Sequence, residues 1–109
     1  MDADHPQNGV LIPRRFTEAL ADLTGQCTEF CTSILRAELN NVHVIYVGVR
    51  HGRGHPVFAE IRYRLEPFRT PEVMAQFMEA LDGAIQRSTG LTARIRCFGY
   101  AASSIHARN

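Results

Sequence analysis

A chain of 109 residues has the length of one domain, and its 45% hydrophobic content is that of an ordinary globular protein rather than a disordered one. A net charge of +1 sets up no global field toward nucleic acid or an anionic membrane, so neither is an expected partner. No apolar run approaches the roughly 20 residues that a membrane-spanning helix needs.

Residues 1–8, MDADHPQN, are polar and read as frayed. Gly9-Val10-Leu11-Ile12 is a short apolar run with the character of a first edge strand. After Pro13 to Phe16, Thr17 is the expected N-cap of a helix. Leu20, Leu23, Cys27, Phe30 and Ile34 recur at alternating spacings of three and four, one face of a helix running to about Leu39. Gly25 weakens that helix by about 1 kcal/mol relative to Ala, so a packing partner is expected against it. From Val42 to Val49 the period changes to two in a β-branched run, which predicts a strand apolar on both faces. Residues 50–56, RHGRGHP, form a loop by composition.

Residues 57–65 alternate cleanly, with Val57, Ala59, Ile61, Tyr63 and Leu65 on one side and Phe58, Glu60, Arg62 and Arg64 on the other. Thr70 is a natural N-cap and Pro71 a natural first helical residue. The helix that follows runs to about Ser88, buries Val73, Met74, Phe77, Met78, Leu81 and Ile85, and exposes Glu72, Gln76, Glu79 and Asp82. Gly90 stops it. Leu91, Ala93, Ile95 and Cys97 alternate with Thr92, Arg94, Arg96 and Phe98 in a last strand, and 101–109 is a small-residue tail.

The order is thus β-α-β-β-α-β in a single α+β domain, 1–109. The two helix entries echo each other, Pro13-Arg14-Arg15-Phe16-Thr17-Glu18 against Pro67-Phe68-Arg69-Thr70-Pro71-Glu72. A duplicated β-α-β unit is the economical reading, with parallel pairing inside each unit and a four-stranded sheet. Two helices can cover only one face of that sheet. The other face carries Phe58, Glu60, Arg62, Arg64, Arg94, Arg96, Phe98 and Tyr100, and this density of guanidinium and aromatic groups demands an occupant. Three occupants fit: a neighbouring subunit, a carboxylate or phosphate held by arginine forks, or stacked bases of a single-stranded nucleic acid. The first two are compatible if the site lies between subunits. Val44-Ile45-Tyr46-Val47-Gly48 superficially matches one RNA-recognition signature, but the next strand follows without an intervening helix, so the topology is wrong for it.

All 12 basic residues are Arg. The 3 cysteines are an odd number, and the first twelve residues lack a secretory signal's pattern, so free thiols and a cytoplasmic location are expected. Cys27 and Cys31 stand one helical turn apart on the inward face and read as core, without further ligands at metal spacing. His51 and His55 read as a solvated loop. No metal or cofactor is expected, and no phosphate loop, nucleophile elbow or paired-carboxylate motif is present.

The stretch Val57-Phe58-Ala59-Glu60-Ile61-Arg62-Tyr63-Arg64, then Phe68-Arg69-Thr70 and a helix, resembles the tautomerase superfamily, which includes macrophage migration inhibitory factor. The likeness runs from about Thr17 to Asn109 and is strongest to the cis-3-chloroacrylic acid dehalogenase-like branch. There a strand ends in Arg and a short turn carries a second Arg followed by Ser or Thr. Arg64 and Arg69-Thr70 stand in those places, with a turn about two residues longer. Cys97-Phe98-Gly99-Tyr100-Ala101 resembles the branch's last strand, Tyr100 standing where it has a catalytic Glu, and Cys31 falls roughly where it has a His.

The resemblance implies a trimer whose sheets surround a central barrel, with the uncovered face lining it. It also implies isomerase- or tautomerase-like, or lyase-like, activity on a small 2-oxo or unsaturated carboxylic acid, the arginines holding the carboxylate. In the family an amino-terminal proline is general base or acid, its amine pKa lowered by an apolar pocket. Here Asp2 follows Met1, and Pro6 takes that role only after proteolysis. The site implied is Tyr100 and a processed Pro6 for proton transfer, with Arg64, Arg69, Cys31 and Phe98 around the substrate. The other reading is a non-catalytic module that uses the Arg/aromatic face for a protein or single-stranded nucleic acid.

Overall fold

The computed structural model describes residues 17–109 in full and the backbone of 5–7, 10–12 and 14–16. Its elements in chain order are β1 (His5–Gln7), β2 (Val10–Ile12), α1 (Arg14–Ser33), β3 (Val57–Arg64), α2 (Pro71–Thr89) and β4 (Ala93–Tyr100). Short 3-10 turns occupy Leu39–Asn41 and Ala102–Ser104.

The second half of the chain folds as the alternation dictates. β3 and β4 pair in parallel, Val57 opposite Ala93 through to Arg64 opposite Tyr100, with α2 as the crossover that parallel pairing requires. Thr70 caps α2 by accepting the Val73 N–H at 3.2 Å, Pro71 takes a first-turn position, and Gly90 ends the helix in the left-handed conformation at φ 72°. The buried face of α2 is Met74, Phe77, Leu81, Ala84 and Ile85. Val73 and Met78 are half-buried at its margin, and Ala84 joins the core without having been predicted there. Leu23 from α1, Leu35 just past its end and Ala93 from β4 complete the buried core. The inward residues of the sheet, Val57, Ala59, Ile61, Tyr63, Ile95 and Cys97, pack against it. The opposite face is covered by neither helix. Its rows are Phe58 with Arg94, Glu60 with Arg96, Arg62 with Phe98 and Arg64 with Tyr100.

The first half departs from the expected duplication. α1 begins at Arg14, three residues before Thr17, so Thr17 lies inside the helix rather than capping it. Pro13 lies outside the described residues. The helix ends at Ser33 and not near Leu39. Arg36 takes a left-handed φ of 55°, and the Ala37 N–H reaches back to the Cys31 carbonyl at 3.0 Å, so the chain turns off the helix axis. Gly25 has nothing within 4 Å of where a Cβ would stand, so no packing partner explains it.

The predicted strand at 42–49 forms no ladder, and the single four-stranded sheet is replaced by two two-stranded ones, β1 with β2 antiparallel and β3 with β4 parallel. β propensity expresses itself only against a partner strand. This segment instead docks on α1 through one side chain: the Tyr46 hydroxyl donates to the Leu20 carbonyl at 3.1 Å and lies 2.8 Å from Thr24 Oγ1. Ile45, Val47 and Val49 are 81%, 75% and 79% exposed as a result. The backbone of β1 pairs antiparallel with β2, against the expectation of a frayed start at residues 5–7. Residues 1–4 and 8–9 lie outside the described residues.

Two substitutions separate the core from the helix surface. Phe77 is 0% exposed, so Phe77→Ala is expected to lower unfolding free energy by about 3–5 kcal/mol. Gly25→Ala meets open space in mid-helix, so it is expected to raise stability by up to about 1 kcal/mol. Urea unfolding followed by circular dichroism measures both.

Candidate functional site

Chemistry concentrates at the carboxyl ends of β3 and β4, the end of a parallel sheet where strands stop and loops begin to offer free groups. Arg64 closes β3 and Tyr100 closes β4; they are register partners on the uncovered face, and the Leu65 N–H donates to the Tyr100 carbonyl at 2.8 Å just beyond them. Arg64 projects from an exposed position, and Tyr100 is 39% exposed. A guanidinium with free N–H donors and a phenol O–H thus face solvent side by side.

The turn from β3 into α2 fixes this end in place. Arg69 Nη1 donates to the Arg64 carbonyl at 2.7 Å, and Arg69 Nε donates to the Leu35 carbonyl at 2.8 Å. One side chain therefore ties the exit of α1 to the last residue of β3. Two guanidinium groups lie over the Phe68 ring, Arg36 at 5.0 Å and Arg69 at 5.2 Å from its centroid. Such cation–π contacts are worth about 0.5–1 kcal/mol each at exposed sites. Arg36, Arg64 and Arg69 are thus gathered around one end of the sheet. Nothing in the sequence marks Arg36, because its place depends on a left-handed residue after α1 that no glycine announces.

Gly99 permits the close packing beneath Tyr100. A Cβ there would lie 2.6 Å from Leu65 Cδ2 and 2.9 Å from the Tyr63 hydroxyl oxygen, distances that no side chain tolerates without movement. Phe98 lies one row back, opposite Arg62, and is 43% exposed. Arg62 is engaged elsewhere, its Nε donating to the Glu60 carboxylate at 2.9 Å in an exposed pair of small energetic weight.

Cys31 lies on the opposite side of the sheet from Arg64. It is half-buried on the inward face of α1, packed against the core with Cys27, and Cys97 approaches from the inward face of β4. The Cys31 thiol hydrogen-bonds to Cys27 and stabilises its thiolate, bringing Cys27 down to about 7 against the opposing effect of burial. Cys31 itself is pushed well above the usual thiol range by that same bond and by burial; the Arg69 charge pulls it partly back. Burial raises Cys97. Pro6 belongs to β1, and its side chain lies outside the described residues. Among the described residues no three His, Cys, Asp or Glu side chains converge as a metal-ligand set, and no helix is long and apolar enough to cross a membrane.

No protein-family model matches the chain, and no curated protein matches it. Among solved structures, malonate semialdehyde decarboxylase superposes with a TM-score of 0.56 over 85% of this chain and 82% of that one, at 12% sequence identity. That enzyme has decarboxylase and hydratase activities. At this identity the likeness is one of fold: two helices and a parallel β-α-β unit in a small α+β domain.

Alkylation tests the thiol pair. Cys27 is expected to react with iodoacetamide with a half-maximal rate near pH 7, and Cys31→Ala is expected to move that midpoint upward by removing the thiol that stabilises the thiolate. Peptide mass spectrometry of the labelled protein across pH reads both.

Proposed function

We propose that this chain is a divergent tautomerase-superfamily protein with isomerase- or lyase-like activity on a small 2-oxo or unsaturated carboxylic acid, bound at the carboxyl ends of β3 and β4. The observation that carries this reading is the Arg64–Tyr100 pair, held in register on a fold shared with an enzyme named for malonate semialdehyde, itself a small oxo acid. Arg64 holds the substrate carboxylate, since a guanidinium fork matches two carboxylate oxygens in one plane. Arg69 has two of its donors engaged by backbone carbonyls, so it positions the end of β3 and offers Nη2 to the substrate.

Tyr100 donates its O–H to the oxygen on which charge develops when an α-proton moves or a C–C bond breaks. Phe98 supplies an apolar floor beside that point, and Cys31 lies behind Arg69 on the inward side. The base is a secondary amine, Pro6, once proteolysis frees it; in an apolar pocket the amine pKa falls and proton transfer near neutrality follows.

A second reading is favoured by a separate observation, the apolar surface left uncovered. Phe98 and Tyr100 on the sheet face and Ile45, Val47 and Val49 on the unpaired segment are all well exposed, and covering each large side chain is worth about 1.5–3 kcal/mol. Further copies of the same chain are the proposed cover, in a trimer whose sheets line a central barrel. The binding-module alternative places another protein or a single-stranded nucleic acid on the same face.

Steady-state assays with phenylpyruvate enol, 2-hydroxymuconate and malonate semialdehyde test the enzyme reading, on protein whose intact mass reports whether Pro6 is terminal. Arg64→Ala is expected to cost about 1.5–3 kcal/mol of carboxylate binding, a KM raised roughly 10- to 150-fold. Absence of both turnover and carboxylate binding overturns it. Light scattering tests the assembly: a mass three times 12.2 kDa is expected, reduced by Phe98→Asp, whereas a stable monomer removes the barrel.

A further inference from the structure

The opposite end of β3 and β4 carries a second basic feature, about 20 Å from Arg64 and Tyr100 at the rise of an extended strand. The chain enters β3 through the loop 50–56, which folds back on itself. Gly54 takes a φ of 95°, a conformation that few side-chain-bearing residues adopt. His51 Nε2 lies 2.8 Å from the Gly54 carbonyl oxygen, so that nitrogen carries the proton and donates. The loop and the first rows of the sheet border a shallow, solvent-open cleft of about 390 Å³.

Its lining is unusual in charge. Arg50, Arg53 and Arg94 contribute three guanidinium groups, His51 and His55 two imidazoles, and Phe58 an aromatic wall. Among the described residues no Asp or Glu lines the cleft. The ion pair formed by the nearby sheet residues joins Arg62 to Glu60 and involves none of these three arginines. Phe58 is 58% exposed and sits opposite Arg94 in the strand register, so its ring and that guanidinium stand together at the cleft's edge. Three like charges held around one cleft repel each other, and a multiply charged anion relieves all three at once. A monocarboxylate neutralises one guanidinium; a diphosphate has the charge and the oxygens for three forks. The exposed phenyl face adds a surface on which a planar ring can stack.

We propose that the cleft formed by the loop 50–56, Phe58 and Arg94 binds a small ring-bearing anion with two or more linked phosphates, of the nucleoside diphosphate class. This site is independent of the carboxylate-binding end of the sheet. Phosphate oxygens bridge Arg50, Arg53 and Arg94, and the ring lies on Phe58.

Titration of the isotope-labelled full chain with pyrophosphate, ADP and adenosine, followed by amide NMR shifts, tests it directly on the wild-type protein. Pyrophosphate and ADP are expected to shift the amides of residues 50–55 and 94, with ADP binding more tightly and adenosine alone producing no shift at the same concentration. Arg53→Ala and Arg94→Ala are each expected to weaken ADP at least tenfold. Phe58→Ala is expected to abolish the advantage of ADP over pyrophosphate while leaving pyrophosphate binding in place. Arg64→Ala is expected to change none of these values, which separates this site from the proposed carboxylate site. Shifts confined to the Arg64 and Arg69 end, affinity unchanged in both arginine variants, or binding only of a long single-stranded oligonucleotide with no effect of ADP would each overturn the proposal.

Discussion

A parallel pair of strands cannot close on itself; it needs a crossover, and α2 is the crossover that joins β3 to β4. That single connection decides which face of the sheet is buried. Phe77, Leu81 and Ile85 on α2 meet Ile61, Ile95 and their inward neighbours, Leu23 of α1 and Leu35 just past its end add to them, and among the described residues no further helix remains for the other side. The arginines and aromatics of the outer face are therefore left uncovered by topology. Their alternation with the inward aliphatic residues is what lets one strand serve a dry core and a charged surface together.

Arg69 converts this layered packing into a defined end. Its two backbone bonds reach Leu35 and Arg64, residues that belong to the exit of one element and the last position of another. Hydrogen bonds from a charged donor are stronger than neutral ones, so the turn between β3 and α2 is held by more than its own backbone. The left-handed Arg36 fits the same scheme. Its conformation costs on the order of 1–2 kcal/mol, and its guanidinium on Phe68 recovers part of that. Both arginines contact the Phe68 ring in this turn, and Arg69 also holds the Arg64 carbonyl, so Arg64 extends from a backbone tied in place. A carboxylate site built on Arg64 inherits that rigidity.

The second half of the chain was legible in the sequence because each of its signals is local. Thr70-Pro71 begins α2, Gly90 ends it, and the period of two from Val57 to Arg64 sets the register of inward and outward residues without reference to anything distant. The first half was not, for a physical reason. The run from Val42 to Val49 has all the composition of a strand, but a strand exists only in a ladder, and whether another strand lies beside it is not written in the run itself. Tyr46 holds it against α1 instead. The end of α1 was misjudged because Arg36 supplies a left-handed residue where glycine is the usual mark. Of the site, Arg64 and Tyr100 could be read from strand alternation. The occupation of Arg69 by two carbonyls, the Arg36 stack and the steric need for Gly99 depend on contacts between segments far apart in the chain.

Near-neutral composition conceals a strongly divided surface. Glu18, Asp22 and Glu29 on α1 and Glu72 and Glu79 on α2 are exposed on the helical layer. Arg62, Arg64, Arg94 and Arg96 stand on the outer face of the sheet against Glu60 alone, with Arg50 and Arg53 in the adjoining loop. Charges at opposite sides of a small domain are separated by more than a Debye length at physiological salt, so they do little to neutralise each other. The strand side therefore attracts anions although the molecule as a whole carries only +1. This polarity also bears on assembly. Copies that turned their sheets toward one another would concentrate guanidinium groups in a shared interior and leave a rim of carboxylates outside. Such an interior is stable only where the charge is answered by carboxylates of the protein or by bound anions, since an unpaired buried charge costs several kcal/mol. The helical layer supplies none of the needed carboxylates, because its acids face away from the sheet. Whatever covers the strand face must bring negative charge with it.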